Sequence, residues 1–195
     1  DYYTAQAYYG IPLRGSYGGM GGFINQEYPS TVVNYDDAAS RVTAFGIPCF
    51  SFEVGQFQVF PDVLTETSKY TGVLDARNFK MIEKRLEEKG ISDEEVEAAI
   101  NASGMLSRLA YKAEIEAALR TKDLSGISLL GIQDFSGQGT ALVGMMNAFG
   151  ESKPYDFADP EEFSSFFSPT VVLFETEKFC YTNTESLTGN LLFSN

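Results

Sequence analysis

The chain has 195 residues, 44% of them apolar, with 18 glycines, which is enough for one folded core and the beginning of a second unit. Its 27 acidic residues outnumber 14 basic ones for a formal charge of −13, a balance that repels phosphate backbones and anionic lipids and argues against nucleic acid as a partner. Histidine is absent, so neither Ser-His-Asp nor Cys-His catalysis nor a His-ligated metal site can be assembled from these residues.

Residues 1–45 are rich in Tyr, Gly, Pro and Ser, including Arg14-Gly15-Ser16-Tyr17-Gly18-Gly19-Met20-Gly21-Gly22, without a helical or strand period. A long ordered loop that serves as a lid or binding loop and a disordered end are both open readings. Asp1-Tyr2-Tyr3-Thr4 is not the basic-then-apolar start of a signal peptide, and no apolar run reaches the roughly 20 residues a membrane helix needs. The missing initiator Met and the alternating pattern still running at Leu187–Phe193 lead us to expect a portion of a longer protein. Its location, cytoplasmic, periplasmic or secreted, is left open.

Two apolar runs that each end in a carboxylate dominate the middle of the chain: Ile47-Pro48-Cys49-Phe50-Ser51-Phe52-Glu53 and Ile127-Ser128-Leu129-Leu130-Gly131-Ile132-Gln133-Asp134. Each has the character of a buried strand, and the helical stretch between them supplies the crossover that parallel pairing requires. In parallel α/β architectures the carboxyl ends of strands carry the ligand site, because the strand fixes a side chain while the next loop varies. Glu53 is therefore the first candidate for chemistry. Pairing of a loop carboxylate with Lys or Arg is the plainer alternative.

Between the runs, Phe79, Ile82 and Leu86 define a helix that stops at Gly90, and Ser92 with Glu95 has the spacing of a capping box for the next. Val96, Ala99 and Ile100 lie on one side of that helix, and Gly104 is expected to interrupt it. A further helix from Met105 to Arg120 carries Leu106, Leu109, Ala110, Ala113 and Ala117 as a stripe of small apolar residues suited to packing on a sheet. Glu114 and Glu116 point to different faces and are expected to be solvated or paired with Arg120.

After the second run, Gly137-Gln138-Gly139 opens an expected helix from Thr140 to Phe149. Asp159-Pro160-Glu161-Glu162-Phe163 is a strong helix start, with a capping Asp, a tolerated first-turn Pro and a Glu pair facing the dipole. Pro169 ends it. From Thr170 the pattern turns to strands, through Val171–Phe174, Lys178–Thr182 and Leu187–Phe193. Cys49 and Cys180 lack CxxC spacing and are expected to be free thiols in apolar surroundings.

Three stretches carry a resemblance: Ser51-Phe52-Glu53-Val54-Gly55-Gln56, Tyr111-Lys112-Ala113-Glu114-Ile115-Glu116-Ala117-Ala118-Leu119-Arg120, and Gln133-Asp134-Phe135-Ser136-Gly137-Gln138-Gly139-Thr140-Ala141-Leu142-Val143-Gly144. Together with Pro169-Thr170-Val171-Val172, the chain from Arg14 to Leu187 resembles the late barrel segments of bacterial glycoside hydrolase family 2-like proteins, related to β-galactosidases and β-glucuronidases. The resemblance implies an α/β fold, the C-terminal part of a (β/α)8 TIM barrel over residues 1–168, leading into the first strands of a β-sandwich over 169–195. It implies retaining hydrolysis of β-glycosides, with Glu53 at the end of barrel strand seven as nucleophile and the general acid/base on a strand four that these residues do not include. This segment alone is then expected not to hydrolyse anything. Phe52 stands where the family pattern has His, removing a hydrogen-bonding group beside the site.

Around Glu53, Asp134 is a candidate for holding sugar hydroxyls or orienting the nucleophile, with capping of the Gly137-Gln138-Gly139 turn as its alternative. Gln56, Gln133 and Gln138 are candidate hydroxyl contacts or loop hydrogen-bonders, and Arg14 could meet a uronate carboxylate or an internal carbonyl. No metal or organic cofactor is called for, since two carboxyls supply both nucleophile and proton. The expected partners are a carbohydrate substrate and the remaining barrel strands and β domains of the parent chain, with a homo-oligomer left open and no membrane. Nucleotide binding at Gly137–Gly144, a rival from another class, fails because the third fingerprint glycine is displaced, no Gly-Lys-Ser/Thr follows and Asp134 would repel the anion. A noncatalytic carbohydrate-binding or structural module derived from such a barrel is the alternative.

Overall fold

The computed structural model describes residues 31–55, 57–73, 75–135 and 142–195; within these, the side chains of Ala38, Phe52 and Glu53 lie outside the description. The described chain contains helices α1 (Asp36–Thr43), α2 (Arg77–Lys89), α3 (Asp93–Leu119) and α4 (Pro160–Ser164) and strands β1 (Phe50–Val54), β2 (Gly126–Leu129), β3 (Val171–Glu175) and β4 (Asn190–Ser194). The chain divides into two compact units. The first comprises the described parts of 1–56, 109–130 and 160–195, and the second those of 57–108 and 131–159.

In the first unit β1 and β2 pair in parallel, with Phe50 opposite Gly126, Ser51 opposite Ile127 and Val54 opposite Leu129. Between the last two partners β1 advances by three residues and β2 by two, so an extra residue is accommodated at Phe52-Glu53. Such a bulge bends a strand locally and re-aims its side chains. The pairing is extended by the Ser125 amide donating to the Cys49 carbonyl at 2.7 Å and the Leu130 amide to the Val54 carbonyl at 2.9 Å. Gly126 leaves room for the Phe50 ring, which a Cβ there would displace.

Both strands differ from the sequence expectation in extent. β2 ends at Leu129, so Asp134 is five positions beyond the strand rather than at its end, and Gly131 turns the chain with φ +70°. β2 is partly exposed rather than buried throughout. Cys49 is buried against Ala39 and Val42, with Leu124 packed on the cluster. The last turns of α3 bury Tyr111, Ile115, Ala117 and Ala118, and the Tyr111 ring meets Phe163 edge-on at 5.5 Å. α4 starts at Pro160, as the Asp-Pro-Glu-Glu pattern predicts, and runs into a tighter turn over Ser165–Phe167.

β3 and β4 form an antiparallel pair from Val171 opposite Ser194 to Glu175 opposite Asn190. β3 buries Val171 and Leu173 on one face and exposes Val172 and Phe174 on the other, the period of two of a half-covered strand. Lys178–Thr182 is not a strand, and Cys180 is exposed rather than in apolar surroundings.

The second unit is built on α2 and the first part of α3. Phe79 is the buried residue of α2, 5.7 Å from Tyr70. Gly90 ends α2 in the left-handed region at φ +68°, with its amide donating to the Glu87 carbonyl and that of Ile91 to Leu86, both at 3.0 Å. This double bond satisfies two terminal carbonyls at once, and φ > 0 is what glycine supplies there. The capping box forms as spaced: the Glu95 amide donates to Ser92 Oγ at 3.3 Å and the Ser92 amide to Glu95 Oε2 at 2.9 Å.

Gly104 does not interrupt α3, which continues for 27 residues. The residue is buried, and a Cβ on it would overlap the Phe157 ring, so its lack of a side chain serves packing. Leu106 and Leu109, expected in the packing stripe, are 63% and 58% exposed, whereas Ala110 and Ala117 are buried. The helix expected over 140–149 is absent from its described part. Over 142–149 the chain is irregular and turns at 148–149, with Met146 alone bridging in parallel to Gln133 and antiparallel to Ser152.

Candidate functional site

At the carboxyl end of β1, Glu53 is the penultimate strand residue and lies within the bulge. Val54 and Gly55 come next, both buried. Gly55 has φ +100°, and a Cβ on it would run into the Tyr111 ring, so both conformation and space demand glycine. One helical turn beyond Tyr111, Glu114 presents Oε2 to the Gly55 amide at 2.8 Å. The backbone immediately after β1 is thus held between a ring and a carboxyl from one face of α3.

Glu114 is 1% exposed. Among the described residues its Oε1 has no hydrogen-bond partner and no cation pairs with it. Burial pushes its carboxyl up to about 8, against a smaller opposing effect of the Gly55 amide. Nearby Tyr35 is held above its ordinary value by burial first and by Glu114 second. The expectation that Glu114 is solvated or paired with Arg120 is therefore incorrect. It holds for Glu116 only, which pairs with Arg120 at 3.1 Å and with Lys112. Sequence spacing could have found Glu114, since it shares a face with Ala110, Tyr111, Ala117 and Ala118, a carboxyl in the middle of an apolar stripe.

Asp134 belongs to the second unit and Glu53 to the first. Its Oδ1 accepts from the Gly144 amide at 2.8 Å and its Oδ2 pairs with Lys153 Nζ at 2.8 Å. Lys153 also donates to the Gly144 carbonyl at 3.0 Å. Burial raises the Asp134 carboxyl, with Lys153 and the Gly144 amide opposing. Gln133 directs Nε2 to the Ala148 carbonyl at 3.0 Å, a loop hydrogen bond of the kind that is the alternative to a sugar contact. Arg14, Gln56 and Gln138 lie outside the described residues, as does the Glu53 side chain; so does the 137–139 turn, the alternative target for capping by Asp134.

Asp62 and Glu66 are also buried in the second unit, at 3% and 1% exposure. Asp62 accepts from the Thr65 amide at 3.0 Å and from the Tyr155 hydroxyl, while Glu66 Oε2 has no hydrogen-bond partner among the described residues. Burial pushes Glu66 up to about 7, with Lys153 lowering it and Asp134 and Asp62 raising it. No spacing rule flags Glu66 or Lys153, which come from loops and a short 3₁₀ turn. Among the described residues no group of three or more Asp, Glu or Cys is placed to hold a metal ion, and no helix is long and apolar enough to cross a membrane. The sequence matches no protein-family model and no curated protein.

Proposed function

We propose that this chain is part of the catalytic (β/α)8 barrel of a retaining β-glycosidase of the family 2 type, with Glu53 as nucleophile. The observation that carries this reading is the placement of Glu53 at the carboxyl end of β1, in a bulge, on a strand paired in parallel with β2. Parallel strands joined by a helical crossover are the repeating unit of such barrels, and their carboxyl ends are where the fold positions reacting groups. The similarity of Ser51–Gln56, Tyr111–Arg120 and Gln133–Gly144 to family 2 segments supports the same assignment.

In the chemistry this implies, a Glu53 carboxylate oxygen bonds to the anomeric carbon as the glycosidic C–O bond breaks. The departing oxygen takes a proton from a second carboxylic acid, about 5 to 5.5 Å from the nucleophile and contributed by the longer protein. That group, now a carboxylate, removes a proton from water. The water oxygen bonds to the anomeric carbon, the ester bond to Glu53 breaks, and both carboxyls return to their starting states.

The test uses the full-length protein and an aryl β-glycoside. Glu53→Gln lowers turnover by about 10³-fold or more, and a mechanism-based fluorosugar labels Glu53. Turnover equal to wild type, or a label on another residue, rules out the nucleophile role. Sugar binding by the wild type without turnover assigns a noncatalytic module instead.

A further inference from the structure

We propose that Glu114 is a positioning residue for Glu53, holding the Gly55 amide and through it the backbone on which the nucleophile's strand ends; this rests on the glycosidase reading of Glu53. Three features of the first unit converge on Gly55. Its amide is bound by Glu114 Oε2 at 2.8 Å, its φ is +100°, and Tyr111 occupies the space a side chain would need. Tyr111 and Glu114 are three residues apart on α3, so one rigid face sets both contacts. The bulge at Phe52-Glu53 leaves that part of β1 with fewer ladder constraints, which makes an anchor just beyond it consequential for where the nucleophile points.

A carboxyl is an expensive way to bind one amide in a buried site unless it stays protonated, because an isolated buried charge is strongly disfavoured. Glu114 meets that condition at neutral pH, its carboxyl being raised to about 8 by burial. Among the described residues the titratable groups near it are Tyr35 and Tyr111 on the same helix face; Glu116 on that helix is occupied with Lys112 and Arg120. Ionisation of Glu114 in mildly alkaline solution would place a charge with no paired cation among the described residues beneath the strand end.

The experiment compares Glu114→Leu and Glu114→Gln in the full-length protein, reading kcat and KM for an aryl β-glycoside across pH, and hydrogen exchange at the Gly55 amide. Misplacing a reacting group by about 1 Å costs on the order of 10²-fold, so Glu114→Leu should lower kcat by about that factor with KM little changed. It should also speed Gly55 exchange by about tenfold or more. Glu114→Gln retains an acceptor without a titrating group: it should bring kcat at pH 7 back to within about tenfold of wild type and move the alkaline decline away from pH 8, leaving the limb set by the general acid. Wild-type kcat in Glu114→Leu, unmoved Gly55 exchange, or an alkaline limb at the wild-type pH in Glu114→Gln overturns the role of Glu114 alone. The last comparison stands even where the Leu variant does not fold. Absence of turnover in the wild type overturns the glycosidase reading, and this role with it.

Discussion

Lys153 Nζ lies 2.8 Å from Asp134 Oδ2 with both side chains almost fully withdrawn from solvent, and the two also bind the carbonyl and the amide of Gly144, respectively. The pair closes a small network in which the Asp134 amide donates to Met146 and the Lys153 amide to Met145, both at 3.0 Å. Removing one partner strands the other as a buried charge, at about 3–5 kcal/mol. Asp134→Ala and Lys153→Met should each lose that much stability in urea unfolding. Asp134→Leu combined with Lys153→Met should cost well below the sum of the two single losses, since no lone charge remains. Single-variant losses under about 1 kcal/mol would mean that the pair is wet and screened.

Glu66 gives the second unit a pH dependence with a definite sign. In the folded state its carboxyl titrates near 7 rather than 4.5, so between those values the folded chain retains a proton that the unfolded chain has released. Stability contributed by this group is fully present below pH 4.5 and is lost as pH rises through 7, amounting to about 3 kcal/mol at most. Glu66→Gln should flatten that stretch of the stability profile, measured by urea unfolding at pH 5, 6, 7 and 8. A profile of the same slope in the variant would assign the dependence to Asp134 or another neighbour.

Features governed by local rules are legible in the sequence, and those governed by distant contacts are not. The end of α2 at Gly90 and the start of α3 at Ser92 arise from chemistry within a few residues, and the later part of the apolar run before Glu53, from Phe50, enters β1. Gly104 does not break its helix because the penalty of one glycine, about 1 kcal/mol, is small beside what a 27-residue helix gains by packing against Phe157. Leu142, Val143, Met145 and Met146 are irregular where a helix is expected, because a short apolar run has no period that fixes its secondary structure; the bridge partners of Met146, Gln133 and Ser152, lie outside the run. Lys153 is invisible in the sequence as the partner of Asp134, since the two stand 19 positions apart with no periodic relation. For the site itself, the strand placement of Glu53 can be anticipated, whereas its Glu114 support emerges only when the helix face and strand end are seen together.

The capping box offers a prediction confined to the helix start. Ser92 and Glu95 satisfy each other's amides in an exposed setting, where three acidic residues, Asp93, Glu94 and Glu95, also face the positive helix end. Ser92→Ala should cost about 1 kcal/mol and raise hydrogen exchange in the first turn of α3. Ser92→Asp, which keeps an acceptor at the cap, should lose no more than a few tenths of a kcal/mol. Equal losses in both variants would show that the hydroxyl acts through something other than the Glu95 amide.

At Gly104 two effects of opposite sign compete, and their sizes decide the outcome. Alanine in a helix interior is favoured over glycine by about 1 kcal/mol, so in an exposed helix Gly104→Ala would stabilise. Here the added methyl meets the Phe157 ring, which is fully buried and cannot simply retreat because Tyr155 stacks on it at 5.6 Å and 8°. Overpacking of that kind costs about 1–3 kcal/mol, enough to cancel or outweigh the helix gain. Gly104→Ala should therefore be neutral to destabilising by about 2 kcal/mol. Phe157→Leu alone should lose stability through the smaller ring-free side chain, yet in the Phe157→Leu background Gly104→Ala should turn stabilising by up to about 1 kcal/mol. That reversal of sign, read by thermal or urea unfolding of the four proteins, is specific to a packing role for the glycine; a Gly104→Ala effect that is the same in both backgrounds would place the constraint in the helix backbone instead.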